Sequence, residues 1–207
     1  MDAAPAAVSR PPSHIEELPG LHDYDFQMKE ISVSRPRPDE YAESFAGYVS
    51  RAEDIHDARS ILAMQQEVVA RLLQPLGDES AEYRYAPDKW SIKELFGHIC
   101  DAERIFAYRL LRVGRGDATP LAGFDENAYV PAARSHRRRL ADLIEEWRAV
   151  RTATTTLVRG MPEDAWENRG TSNGHVISAR ALLYIIVGHV DHHLGVLAER
   201  YGVGERV

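Results

Sequence analysis

Apolar residues in this chain recur at spacings of three and four in four separate stretches, and almost nothing alternates with a period of two. That spacing lines up a stripe along a helix and argues against sheet. The first stretch, about 54–76, aligns Ile55, Ala58, Leu62, Val69, Leu72 and Leu76, with Gly77 as its stop. Just before it, Tyr41, Phe45 and Tyr48 share the spacing of a shorter prelude helix. The second stretch, about 91–113, has the sharpest start: Ser91 and Glu94 form a capping-box pair, and Trp90 and Leu95 stand where a hydrophobic staple would place them. The third, about 135–159, carries Leu140, Leu143, Trp147, Val150 and Leu157 and stops at Gly160 and Pro162. The fourth, about 178–201, ends on Gly202 as a C-cap. Four such helices bury their stripes most simply against one another. The expected fold is therefore all-α: a four-helix bundle with long connecting loops over residues 38–207, preceded by a loose Pro-rich arm over residues 1–37.

Composition narrows the function classes. With 207 residues, 44% hydrophobic and 28% charged, the chain is an ordinary globular domain. A net charge of −7 has the wrong sign for holding nucleic acid by phosphate neutralisation, and the cluster Arg137-Arg138-Arg139 is a local exception. The longest apolar run, 181–187, falls short of the roughly 20 residues of a membrane span, and the N-terminus lacks a basic-then-apolar leader. No membrane and a cytoplasmic location are the expectation. Cys100 stands alone, which excludes an internal disulfide framework and a Cys-rich zinc site.

Nine histidines remain to be explained. His189 and His193 are four residues apart on the fourth helix, hence about 40° apart around its axis and one turn along it. They fall in the same sector as Leu182, Ile185, Ile186 and Val196, so the pair interrupts an apolar stripe. Two imidazoles so placed can converge on one divalent ion. His192, about 60° from His189 on the other side, could replace either neighbour. Val190 stands where a zincin helix needs its glutamate, which excludes a metalloprotease. A third ligand must come from elsewhere, and His98, at the edge of the apolar face of the second helix, is the best candidate. The stretch Gly170-Thr171-Ser172-Asn173-Gly174 matches a hydrolase nucleophile elbow, but no parallel strand leads into it.

The segments Trp90-Ser91-Ile92-Lys93-Glu94-Leu95-Phe96-Gly97-His98-Ile99-Cys100-Asp101-Ala102-Glu103-Arg104 and Gly188-His189-Val190-Asp191-His192-His193-Leu194 resemble the two metal-ligand segments of the DinB/YfiT-like metalloprotein superfamily. The resemblance covers about residues 40–203. It implies a four-helix bundle, frequently dimeric, in which His98, His189 and His193 hold a divalent ion, most often zinc or nickel. It further implies a metal-dependent enzyme of thiol S-transferase or related type, with a small-molecule substrate and a low-molecular-weight thiol as cosubstrate. A possible homodimer is part of the same expectation. No catalytic side chain is carried over.

Three neutral histidines would leave an ion its full charge and an open position, which favours thiolate over thiol or hydroxide over water. Arg109 lies within about 20° of His98 on the wheel, three turns on, where it could meet an anionic substrate at the bundle mouth. Asn127 and Tyr129, on the loop after the second helix, could line the same pocket. Asp101 and Asp191 read as solvated helix charges, and Cys100, about 200° from His98, points away from the site. The competing reading is a non-catalytic stress-related bundle whose metal is structural or adventitious, distinguished by a closed fourth position.

Overall fold

A computed structural model describes residues 30–204. Four long helices build the bundle: α2 (Ala58–Leu73), α3 (Ile92–Gly114), α5 (Leu140–Arg159) and α6 (Ala179–Tyr201), with a short α1 (Ala46–Arg51) and a short α4 (Glu126–Ala133) between them in the chain. The best-defined start is that of α3. Ser91 Oγ accepts from the Glu94 N–H at 3.2 Å, and the Glu94 carboxylate accepts from the Ser91 N–H at 2.9 Å. At the start of α6 the Ala181 N–H donates to Ser178 Oγ at 3.1 Å, and at its end Gly202 takes a left-handed φ of 69°. The helix packs on α1, α2 and α3. From Ala179 to Val190 it is buried on every side, because it runs through the middle of the bundle. By length and composition α6 could cross a bilayer, yet 67% of its apolar window is enclosed by the rest of the protein. Burial in a core accounts for that composition.

The sequence pattern and the structure part company where tertiary contacts set the boundaries. The first helix begins at Ala58, capped by Asp57, because Ile55 is drawn into an antiparallel bridge with Val33. The third expected helix begins at Leu140 rather than near 135. Its first N–H is taken by the Asp78 carboxylate at 2.6 Å, a cap supplied by the distant α2–α3 connection. The loop after α3 contains α4, started by Asp125, whose carboxylate accepts the Asn127 N–H at 3.0 Å.

The all-α expectation also needs a small addition, an antiparallel hairpin of β1 (Arg169–Ser172) and β2 (His175–Ser178). Asn173 and Gly174, with φ of 50° and 78°, form its two-residue turn, which demands left-handed backbone at both positions. The Gly170–Gly174 motif is thus a hairpin tip, and the elbow reading fails on its geometry. Leu121 bonds to this tip through Thr171 and Asn173, tying the α3–α4 loop to the hairpin.

Of the leading arm, residues 1–29, with His14 and His22, lie outside the described residues. Residues 30–37 are held against the bundle. Arg35 donates to the carbonyls of Val49 and Ala52 at 2.9 and 2.7 Å and stacks over the Tyr184 ring.

Candidate metal centre

His98 on α3 and His189 and His193 on α6 meet inside the bundle. Nε2 of His189 lies 3.1 Å from Nε2 of His98 and 3.1 Å from Nε2 of His193, and all three side chains are buried. Burial makes their charged forms costly. It lowers the pKa of His98 to about 4 and that of His193 to about 2, and it puts His189 well below the usual histidine value. Near neutral pH the rings are therefore uncharged, and each has one N–H and one lone pair. His189 Nε2 faces two like nitrogens, and a single proton cannot serve both contacts. His193 Nδ1 is buried with no hydrogen-bond partner among the described residues.

Nitrogens each about 2.0–2.1 Å from one tetrahedral ion stand about 3.3 Å apart, close to the spacing found here. Among the described residues, only these three form a group of His, Cys, Asp or Glu side chains able to hold a metal. The donor set fits a borderline divalent ion.

Aromatic rings pack against two of the three imidazoles. Tyr48 of α1 and Phe106 of α3 stand edge-on to His189 at 5.3 and 5.5 Å, and Trp90 lies 5.0 Å from His98. A cavity of about 310 Å³ opens beside the histidines, walled by Tyr48, Trp90, Phe106, Phe124, Arg109 and Glu126. A second, of about 280 Å³, lies against His193 and Trp90, with Tyr85, Tyr201 and Asn127 in its wall.

The sequence-derived candidates fall as follows. Arg109 is only 4% exposed and lines the first cavity, so it is no surface arginine. Asn127 lines the second cavity instead of the first. Tyr129 lines neither and is exposed; its ring lies 5.5 Å from that of Phe124, which does line the first cavity. His192 stays outside the group, half-buried with its ring 5.5 Å from Tyr48. Cys100 is buried in the core away from the histidines, and burial pushes its thiol pKa up.

Asp191 departs from its expected place in solvent. Its carboxylate accepts from Gln65 Nε2 at 2.7 Å, Gln65 Oε1 accepts from Arg151 at 3.2 Å, and Arg151 pairs with Glu103 at 3.2 Å.

Tyr48, Phe106, Phe124 and Glu126 were missed as site residues. Tyr48 shares the spacing of the prelude helix and Phe106 lies within the second helical stretch, where nothing local tells a cavity wall from core, and Glu126 belongs to α4, which the sequence pattern reads as loop. The field of Glu126 reaches both His98 and Tyr48, raising their pKa values against the opposing or parallel effect of burial.

A helical bundle with a buried three-histidine group between two of its helices defines a class of candidate metalloproteins. The sequence pattern of the DinB superfamily matches residues 61–197, and the chain belongs to that superfamily. Among solved structures it is similar to YfiT from Bacillus subtilis, described as a probable metal-dependent hydrolase with an unusual four-helix bundle topology. The TM-score is 0.64 at 15% identity over 84% of this chain and 95% of that one. It is also similar to a mycothiol-dependent maleylpyruvate isomerase, with a TM-score of 0.57 at 16% identity over 70% of this chain and 60% of that one. No curated protein matches it in sequence.

Proposed function

We propose that this protein is a metal-dependent enzyme of thiol S-transferase or related type, with His98, His189 and His193 as the ligands of a divalent ion, zinc or nickel. The observation that carries the reading is the convergence of three buried, uncharged Nε2 atoms beside a cavity large enough for a small molecule. When bound, such an ion supplies a Lewis-acid charge that favours a thiolate, or hydroxide, at its open position. The chain's own residues do the rest. Tyr48 and Phe106 pack on His189 and Trp90 on His98, Arg109 offers a cation to the substrate, and Glu126 places a carboxylate at the cavity wall where a proton must be taken or given.

The two solved relatives, one described as a hydrolase and one as dependent on a thiol, support metal- and thiol-based chemistry on this fold and leave the choice to experiment. Two cavities meeting at His193 and Trp90 favour a reaction that brings two molecules together. A small-molecule substrate, a cytoplasmic location and a homodimer belong to the same proposal.

Protein purified without immobilised-metal resin should carry close to one divalent ion per chain by elemental analysis. His189→Ala and His193→Ala should each abolish binding while His192→Ala leaves it intact; loss on His192→Ala alone would reassign the ligand. Thiol consumption against a panel of electrophiles then tests turnover. Metal retained with no turnover for any pair would favour the non-catalytic, stress-related bundle.

A further inference from the structure

Arg109 is a buried cation with no anion. It stands 4% exposed on α3, three turns beyond His98, and lines the cavity beside the three histidines. One of its N–H groups donates to the Ala122 carbonyl at 2.9 Å, on the loop that the hairpin tip secures. Its guanidinium lies against two neighbouring rings, 5.9 Å from the centre of Phe106 and 5.7 Å from that of Phe124. Among the described residues no carboxylate forms an ion pair with it, and Nε and Nη1 have no acceptor. Burial lowers its pKa, and no neighbouring charge offsets that effect.

The contrast with the other deeply buried arginines is sharp. Arg151 has Glu103, and Arg180 has Glu40 and Glu167. An arginine stays charged in a protein, so its desolvation is normally balanced by a carboxylate or phosphate. Glu126 shares the cavity wall, but it is exposed and beyond ion-pair distance of Arg109.

We propose that Arg109 is the substrate-anion receptor of this site, and that the molecule bound beside the histidines carries a carboxylate on an apolar body. The proposal rests on the metal-enzyme reading for where the reacting group sits, but the receptor itself depends on Arg109 and the cavity alone. The free N–H groups would hold the carboxylate, and Phe106, Phe124 and Tyr48 would cover the apolar part. The carboxylate could arrive on the thiol or on its acceptor, and the two arms of the test separate these sources.

In the first arm, the cobalt(II)-substituted full-length protein is titrated with 3-mercaptopropionate and with 2-mercaptoethanol, read by sulfur-to-cobalt charge-transfer absorption. In the second, chelator-treated protein is titrated with benzoate and with benzamide, read by the shift in Tm. The acid should bind at least tenfold more tightly than its neutral partner in one arm or both. Arg109→Gln should erase that preference, and Arg109→Lys should keep part of it.

Because Arg109→Gln removes an uncompensated buried charge, it should fold with a Tm no lower than the parent, and Arg109→Lys serves if it does not. Equal affinity for acid and neutral partner in both arms, or a preference that survives Arg109→Gln, would overturn the assignment. Absence of any cobalt absorption would count against the metal reading alone, and the second arm would then decide the role of Arg109.

Discussion

Gly188 has to be a glycine because of a residue far upstream. A Cβ built on it would lie 1.9 Å from the Tyr48 carbonyl oxygen, so α1 can approach α6 only over a bare backbone. That approach sets the Tyr48 ring edge-on to His189, the next residue after the glycine. Gly188→Ala must therefore push α1 outward and loosen the wall of the histidine group. Overpacking of this kind costs about 1–3 kcal/mol, and urea unfolding should show a loss of that size. Metal affinity, measured by competition with a chromophoric chelator, should fall as well. Unchanged stability and unchanged affinity together would show that α1 does not brace the site. From the sequence alone the histidines were legible, because an i, i+4 pair on an apolar stripe is a local pattern. The role of Gly188 was not, since its steric partner is set only when the chain folds back.

At the scale of elements, the bundle is crossed by a polar chain with one residue from each long helix: Gln65 of α2, Glu103 of α3, Arg151 of α5 and Asp191 of α6. Arg151 and Glu103 are almost wholly enclosed, and burial alone pushes the Glu103 carboxyl pKa up and the Arg151 pKa down. Removing one partner leaves a charge buried without compensation, whereas removing both leaves neither charge of the pair, with Gln65 still bonded to Asp191. Arg151→Met should therefore cost about 3–5 kcal/mol, and adding Glu103→Leu should recover most of that loss. A double-mutant cycle by chemical denaturation measures the coupling; additive losses would mean that the two side chains do not act as a pair. Periodicity exposed the four helices because apolar stripes repeat within each one. It could not expose this chain, whose members are polar residues on four different helices, nor the starts of α2 and α5, which Val33 and Asp78 fix from outside. The hairpin went unread for a related reason: two four-residue strands are too short to set up an alternation.

Across the whole molecule, the segment before α1 is fastened by Glu40. This fully buried carboxylate accepts from Ser178 Oγ at 2.8 Å, at the end of β2, and from Arg180 of α6 at 2.6 Å through Nε and again through Nη2. Arg169 of β1 and Arg37 add their charges at 3.4 and 3.1 Å. One residue thereby joins the N-terminal stretch, the hairpin and the central helix. Burial by itself would raise the pKa of Glu40, but the hydrogen bonds from Arg180 and Ser178 outweigh it and bring the value down from 4.5 to about 2. The folded state thus holds the carboxylate more tightly than the unfolded chain does. The corresponding stability, about 3 kcal/mol, is fully present above the unfolded value of 4.5 and is lost as the pH falls to about 2. Glu40→Gln should be less stable than the parent by about that amount at pH 7. Its unfolding free energy should also fall less steeply between pH 4.5 and 2. Urea unfolding of both proteins at several pH values across this window provides the measurement, and parallel pH profiles would locate the acid sensitivity elsewhere. The α6 histidines of the group lie farther along the helix, about two and a half to three and a half turns beyond Arg180. Metal content measured at neutral pH should therefore be the same in Glu40→Gln and the parent, which separates the fastening of the fold from the chemistry of the site.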